Sequence, residues 1–156
     1  MKNSEKLAAY ERCRARIEGL CEGETNEVAL MASVVGVLHN EMSGFYWTGF
    51  YRMCEEGGLV VGPYQGTIGC VRIAMGRGVC GTAAETEMTQ VVEDVHEFPG
   101  HIACDASSRS EIVVPLKDAS GAVRAVLDVD STEVGTFDEV DQVALEGILA
   151  AVFGNT

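Results

Sequence analysis

The chain has 156 residues, 47% of them hydrophobic, which suits one globular domain with its own core. Its formal net charge is −13, from 24 acidic and 11 basic residues. Such a field repels phosphate backbones and anionic lipid surfaces, so no nucleic acid and no membrane is expected as a partner, whereas zwitterionic or cationic ligands are compatible with it.

The opening residues, Met1-Lys2-Asn3-Ser4-Glu5-Lys6, lack the apolar stretch of a secretory signal. No later apolar run approaches the roughly 20 residues that span a bilayer. A cytoplasmic protein is therefore expected. From about 4 to 21, Leu7, Tyr10, Cys13, Ile17, Leu20 and Cys21 recur at helical spacing. A second helix is predicted over about 26–39, with Val28, Met31, Val34, Val35 and Leu38 on one side and Thr25 as its cap. These two helices occupy 1–40, and residues 44–154 are expected to hold the sheet and a closing helix.

After Gly44 the pattern turns to strands. Phe45–Met53 is aromatic-rich, and Gly57-Gly58 reads as the turn of a hairpin into Leu59–Tyr64. A glycine-rich connection leads to a strand over 70–73, and Gly76-Arg77-Gly78 opens a short helix over about 79–87. A further strand is predicted at 90–93, followed by a long loop over 94–109; loops of that length in a compact domain are usually functional or disordered. Strands over 110–116 and 122–130 are joined by a turn, and a helix over about 138–153 is capped by Asp138 or Thr136. Helices at both chain ends around a mostly antiparallel sheet make an α+β domain.

Six cysteines (13, 21, 54, 70, 80, 104) without an export signal argue against a structural disulfide framework. No metal site is expected, since there is no CxxC and the histidines at 39, 96 and 101 are scattered. Cys13 and Cys21 read as helix core, and Cys54 as incidental beside its turn. Cys70, Cys80 and Cys104 lie in denser company, within Gly69-Cys70-Val71-Arg72, Gly78-Val79-Cys80-Gly81 and His101-Ile102-Ala103-Cys104-Asp105.

A thiol attacks as thiolate, and Cys104 beside Asp105 in an acidic domain has no evident reason for a low pKa. Attack would then need an electrophile activated by proton donation, for which Glu111 and the pair Asp128 and Asp130 are the candidates. Two apart in a strand, these aspartates share one sheet face, opposite Leu127 and Val129. Crowded carboxylates repel, so one tends to hold a proton or await a cation; on alternation alone, the plainer reading is the solvated outer face of an edge strand. Trp47 and Tyr51 share a face with Gly49 between them, which leaves space for something to lie across the sheet. An aromatic wall suits a methyl group on a polarised sulfur or a cationic centre, although such a pair is more often ordinary core. Gly76-Arg77-Gly78 offers a weak carboxylate or phosphate seat before its helix.

Residues 44–150 resemble the free methionine-(R)-sulfoxide reductases, enzymes built on a GAF domain. The segments that carry the resemblance are Phe45-Tyr46-Trp47-Thr48-Gly49-Phe50-Tyr51, Gly62-Pro63-Tyr64-Gln65-Gly66, Gly76-Arg77-Gly78-Val79-Cys80-Gly81-Thr82-Ala83, His101-Ile102-Ala103-Cys104-Asp105, Ser108-Arg109-Ser110-Glu111-Ile112-Val113-Val114-Pro115-Leu116 and Val126-Leu127-Asp128-Val129-Asp130-Ser131.

The resemblance implies a single GAF domain that reduces free L-methionine-(R)-S-oxide to methionine, with thioredoxin as reductant and no metal or organic cofactor. It implies Cys104 as the nucleophile that becomes a sulfenic acid, Cys70 as the resolving thiol and Cys80 as a secondary participant. Glu111 and Asp130 would polarise and protonate the sulfoxide oxygen. Trp47 would pack on the substrate methyl with Tyr51 beside it, and Asp128 would meet the ammonium group. A homodimer is implied as well.

Two departures from the family wording stand out: Thr67-Ile68-Gly69 precedes Cys70 where Lys-Pro-Ala is frequent, and Ala74 replaces a common proline. The rival readings are a non-catalytic GAF domain that binds a small ligand or a partner, and a thiol redox sensor. The sensor reading leaves Trp47 and the three carboxylates without a task.

Overall fold

The computed structural model describes residues 2–101 and 105–154. Helix α1 (Asn3–Cys21) buries Ala9, Tyr10, Cys13 and Ile17, one stripe of its helical repeat. Leu7 and Leu20 were expected on that stripe but are 52% and 59% exposed. Helix α2 (Glu27–Glu41) is capped by Asn26, whose side chain accepts the Ala29 N–H, rather than by Thr25. Its core face is Leu30, Met31, Val34, Val35, Val37 and Leu38, while Val28 is turned out to solvent.

The sheet strands are β1 (Trp47–Met53), β2 (Leu59–Gln65), β3 (Arg72–Ile73), β4 (Gln90–Val92), β5 (Ser110–Lys117) and β6 (Val123–Ser131). Their order is β3-β2-β1-β6-β5-β4, and every neighbouring pair is antiparallel. The expected α+β architecture with a mostly antiparallel sheet is therefore present. Gly57 and Gly58 turn the β1–β2 hairpin with φ of +94° and +79°, values that an L side chain rarely adopts.

Helix α3 (Gly78–Thr86) follows β3, and α4 (Glu139–Phe153) closes the fold. Asp138 caps α4 through a capping box in which the Asp141 side chain accepts the Asp138 N–H. Helices α2 and α4 lie on one sheet face, α1 packs across both, and α3 covers the opposite face at β5 and β6.

Strand alternation divides the interior into two cores. Phe50, Ile112, Val114, Leu116, Ala125, Leu127 and Val129 face α1, α2 and α4. Trp47, Tyr51, Val113 and Val126 face α3, together with Ile73, Val79, Cys80 and Ala83. The strand face of the first core is almost wholly apolar, and Thr48 on it is satisfied by His39 Nδ1 at 3.0 Å. The strand face of the second core buries carboxyl groups, and there the candidate site forms.

Candidate active site

Register brings the expected residues together. Trp47 is the cross-strand partner of Asp130, and Gly49 of Asp128; on the other side Asp130 pairs with Glu111 and Asp128 with Val113. Residues paired across neighbouring strands share a face, so Trp47, Asp128, Asp130 and Glu111 all point toward α3. The solvated edge considered for the aspartates is not what forms. Strand β6 lies between β1 and β5, Asp128 and Glu111 are buried at 5% and 6% exposure, and Asp130 is half-buried.

Helix α3 supplies Cys80, buried beneath the same pocket with its Sγ 3.9 Å from Glu111 Oε1. A short loop delivers it: Gly76 and Gly78 take φ of +74° and +62°, and Gly81 packs so closely on the Ala74 carbonyl that a Cβ there would stand 2.5 Å from it. These three glycines let the helix start tight against the sheet.

Trp47 forms the wall. Its ring stacks on Tyr51 at 5.7 Å and on Tyr64 at 5.1 Å between centroids. The space at Gly49 is taken by the indole and by Tyr64, since a Cβ on Gly49 would lie 2.6 Å from Trp47 Cη2 and closer still to Tyr64 Cβ. Glycine is thus required so that the tryptophan can lie flat across the strand, not to receive a ligand directly. Gly69, the residue before Cys70, packs on the far side of the same ring, where a Cβ would come within 2.8 Å of the indole and 3.1 Å of the Tyr51 hydroxyl. The half-buried Cys70 is packed against this core.

Trp47, Tyr51, Gly69, Cys80, Glu111, Asp128 and Asp130 line one pocket, together with Ile68, Arg77, His101, Asp105 and Ser108. Six of the eight proposed site residues are therefore on one cavity. Cys70 adjoins it, and Cys104 lies outside the described residues. Cys13, Cys21, Cys54 and Cys80 are free thiols. Cys13 is core as expected, Cys21 is half-buried, and Cys54 accepts a contact from Arg72 Nη1 at 3.2 Å.

Electrostatics follow from burial of like charges. Desolvation, then the charges of Asp128 and Asp130, push the Glu111 carboxyl well above the ordinary carboxylate range. Burial and then Asp128 do the same to Asp130, and burial raises Asp128. The Cys80 thiol is driven up by burial and then by Asp128 and Glu111, so it stays a thiol. Tyr51 is likewise raised, by burial first and Asp128 next. Among the described residues, Asp128 Oδ1 is buried without a hydrogen-bond partner, an acceptor left for whatever enters the pocket. Donor atoms of Cys80, Glu111 and Asp128 lie within 4.8 Å of one another, close enough to surround a cation. His96 and His101, scattered in sequence, approach to 6.5 Å between ring centroids, and His101 lines the pocket.

Sequence reasoning left several pocket elements without a role. Asp105 is held by Tyr46, Thr67 and Ser107, and the Trp47 indole N–H donates to the Thr67 carbonyl at 2.9 Å. Apart from Ser107, those partners stand 20 to 59 residues apart, and only the run of aromatics from Tyr46 hinted at them.

The described helices include none long and apolar enough to cross a membrane. The family model described as "GAF domain" matches residues 24–152. The chain is 49% identical over 144 residues to "GAF domain-containing protein A" of Dictyostelium discoideum, covering 92% of this chain and 90% of that protein. It is 44% identical over 145 residues to the "Free methionine-R-sulfoxide reductase" of Escherichia coli, covering 93% and 87%. Among solved structures, the free methionine-R-sulfoxide reductase of Neisseria meningitidis in complex with its substrate superposes with a TM-score of 0.90 at 42% identity, over 94% of this chain and 87% of that one.

Proposed function

The chain belongs to the free methionine-(R)-sulfoxide reductases, a family of GAF-domain proteins, and from that membership we propose that it reduces free L-methionine-(R)-S-oxide to L-methionine. The observation that carries the proposal is the union in one pocket of three buried carboxyl groups, a flat indole wall and cysteine-bearing segments. The rival sensor reading has no use for that expense of buried charge.

A sulfoxide oxygen is a poor leaving group until it is protonated. Burial and then the Asp128 charge push Glu111 and Asp130 well above the ordinary carboxylate range, which favours their protonated forms and suits them as the proton donors. Cys104 attacks the sulfoxide sulfur; methionine departs, and the oxygen remains on Cys104 as a sulfenic acid. Cys70 then attacks the sulfenic sulfur, water leaves, and a disulfide closes. The dithiol of thioredoxin returns two electrons and two protons by exchange. Cys80 is a protonated, buried auxiliary beside Glu111 and not the first attacker.

Substrate selection follows from the wall and the unpartnered acceptor. Trp47, backed by Tyr51, packs on the methyl carried by sulfur. Asp128 Oδ1 accepts from the ammonium of the free amino acid. A peptide-bound methionine sulfoxide lacks that ammonium and leaves the acceptor buried and unpaired, a loss of about 1–3 kcal/mol. The donor cluster of Cys80, Glu111 and Asp128 is thereby assigned to protons and ammonium, without a metal or organic cofactor. The proposal includes a homodimer and a cytoplasmic setting.

The test supplies the purified chain with free methionine-R-sulfoxide, thioredoxin, thioredoxin reductase and NADPH. NADPH consumption that requires both the sulfoxide and the chain is the expected result; none at any substrate concentration would sink the proposal.

A further inference from the structure

Asp105 gathers three segments of the chain. Its Oδ2 accepts from the Tyr46 hydroxyl at 2.9 Å and from Thr67 Oγ1 at 2.5 Å, and its Oδ1 accepts the Ser107 N–H at 2.8 Å. Thr67 is held from its other end as well, because its carbonyl accepts the Trp47 indole N–H at 2.9 Å. Thr67 is exposed and lies in the connection between β2 and β3. Exposed connections move unless something ties them, and here one residue is bonded through both its hydroxyl and its backbone carbonyl.

Sequence position gives those bonds their meaning. Thr67 stands three residues before Cys70, and Asp105 immediately follows Cys104. Three residues of chain span at most about 10 Å, so fixing Thr67 confines where the Cys70 segment can go. Gly69 packed on Trp47 restricts it further. The three hydrogen bonds also hold the Asp105 carboxyl below its usual range, the Thr67 bond foremost, so the acceptor is an anion and charge-assisted.

We propose that Thr67 is a positioning residue whose hydroxyl, clamped to Asp105, ties the connection that leads into Cys70 to the residue that follows Cys104 in sequence and so sets how readily the two thiols close into a disulfide. The same residue, through its carbonyl, ties this clamp to the indole wall. That second bond is made by the backbone, so a change of the hydroxyl alone leaves the indole contact in place. The inference rests on the reductase reading for the disulfide's purpose, but the closing of the thiol pair is measurable without any sulfoxide.

The full-length chain is equilibrated in glutathione redox buffers, where Cys70–SH, Cys104–SH and glutathione disulfide yield the protein disulfide and two glutathione thiols. The disulfide fraction is read by alkylation and mass spectrometry. Thr67→Val keeps the branched shape and the carbonyl but removes the donor. It is expected to lower the equilibrium constant for the Cys70–Cys104 disulfide about tenfold, the effect of one hydrogen bond to a charged group, equivalent to about 30 mV in potential. Thr67→Ser restores the donor and should stay within about twofold of the parent. In a single turnover with sulfoxide, Thr67→Val should release methionine at the parent rate and close the disulfide more slowly.

A Thr67→Val chain with the parent's equilibrium constant overturns the proposal. So does a Thr67→Ser chain as impaired as Thr67→Val, which would assign the effect to the lost methyl. A parent that forms no Cys70–Cys104 disulfide in oxidising buffer also overturns it. A parent that forms the disulfide but reduces no sulfoxide would sink the reductase reading and leave the clamp standing.

Discussion

Glu111 and Asp130 are direct partners across β5 and β6, so two acids share one pleat beneath the pocket, with Asp128 two residues along the same face. Neighbouring carboxylates at that spacing cannot all ionise without cost, and the protons they keep are available to the sulfoxide oxygen. Glu111→Gln should therefore lower kcat by about 10²–10⁴, the usual contribution of a general acid, with little change in KM. An unchanged kcat in steady-state assays would remove Glu111 as donor.

The same burial makes a stability prediction whose sign is opposite. The folded pKa of Glu111 is raised above its unfolded value. Between those two values the folded chain binds the extra proton, so stability falls as pH rises through the window that begins near 4.5, the ordinary glutamate value. Glu111→Gln should flatten that decline and be about 1 kcal/mol or more stabilising at pH 8, but not at pH 4. Urea melts of both chains at the two pH values check it; equal midpoints at pH 8 would contradict it.

Gly49 is the contact that lets the indole lie across β1. Gly49→Ala should push the Trp47 ring off the strand, at about 1–3 kcal/mol of overpacking. KM for the sulfoxide should rise several-fold as the wall tilts. Denaturation and steady-state kinetics on the same sample measure both effects. A normal KM would show that the flat indole is not part of the binding surface.

Far from the pocket, Asp141 accepts from Lys6 Nζ and the Tyr10 hydroxyl, each at 2.6 Å, and completes the α4 cap. Asp141→Ala leaves the buried Tyr10 hydroxyl without this acceptor and the buried Lys6 ammonium with only the Thr136 carbonyl at 2.8 Å and Asp138 at 3.6 Å, which costs about 3–5 kcal/mol. The fraction that remains folded should keep normal kcat per folded molecule. A loss below about 1 kcal/mol in urea unfolding would show that Lys6 and Tyr10 find other partners.

Much of this arrangement was legible in the sequence because strands have a period of two. Alternation alone placed Trp47 with Tyr51 and Asp128 with Asp130, and glycine pairs marked the hairpin correctly. What alternation cannot give is strand order. Asp128 and Asp130 looked equally at home on a wet edge until β6 was found between β1 and β5, pairings set by contacts distant in sequence. Helical spacing found the stripe of α1 but not its limits, so Leu7 and Leu20 were placed inside and lie outside. Asn26 took the cap from Thr25 because its side chain reaches the Ala29 N–H. The clamp of Tyr46, Thr67 and Asp105 had no local signature beyond the aromatic run that starts at Tyr46, since its members meet only when three separate segments come together. Cys104, named from the family wording, lies outside the described residues.

Most direct is a single turnover by the pre-reduced chain, mixed with excess free methionine sulfoxide and no other reductant. About one methionine per chain is expected from the R epimer and none from the S epimer, with Cys104→Ser giving none and Cys70→Ser giving about one and then stalling. No methionine from the R epimer, or equal yields from both epimers, would contradict a stereospecific sulfoxide reductase; a normal yield from Cys104→Ser would contradict its role as nucleophile.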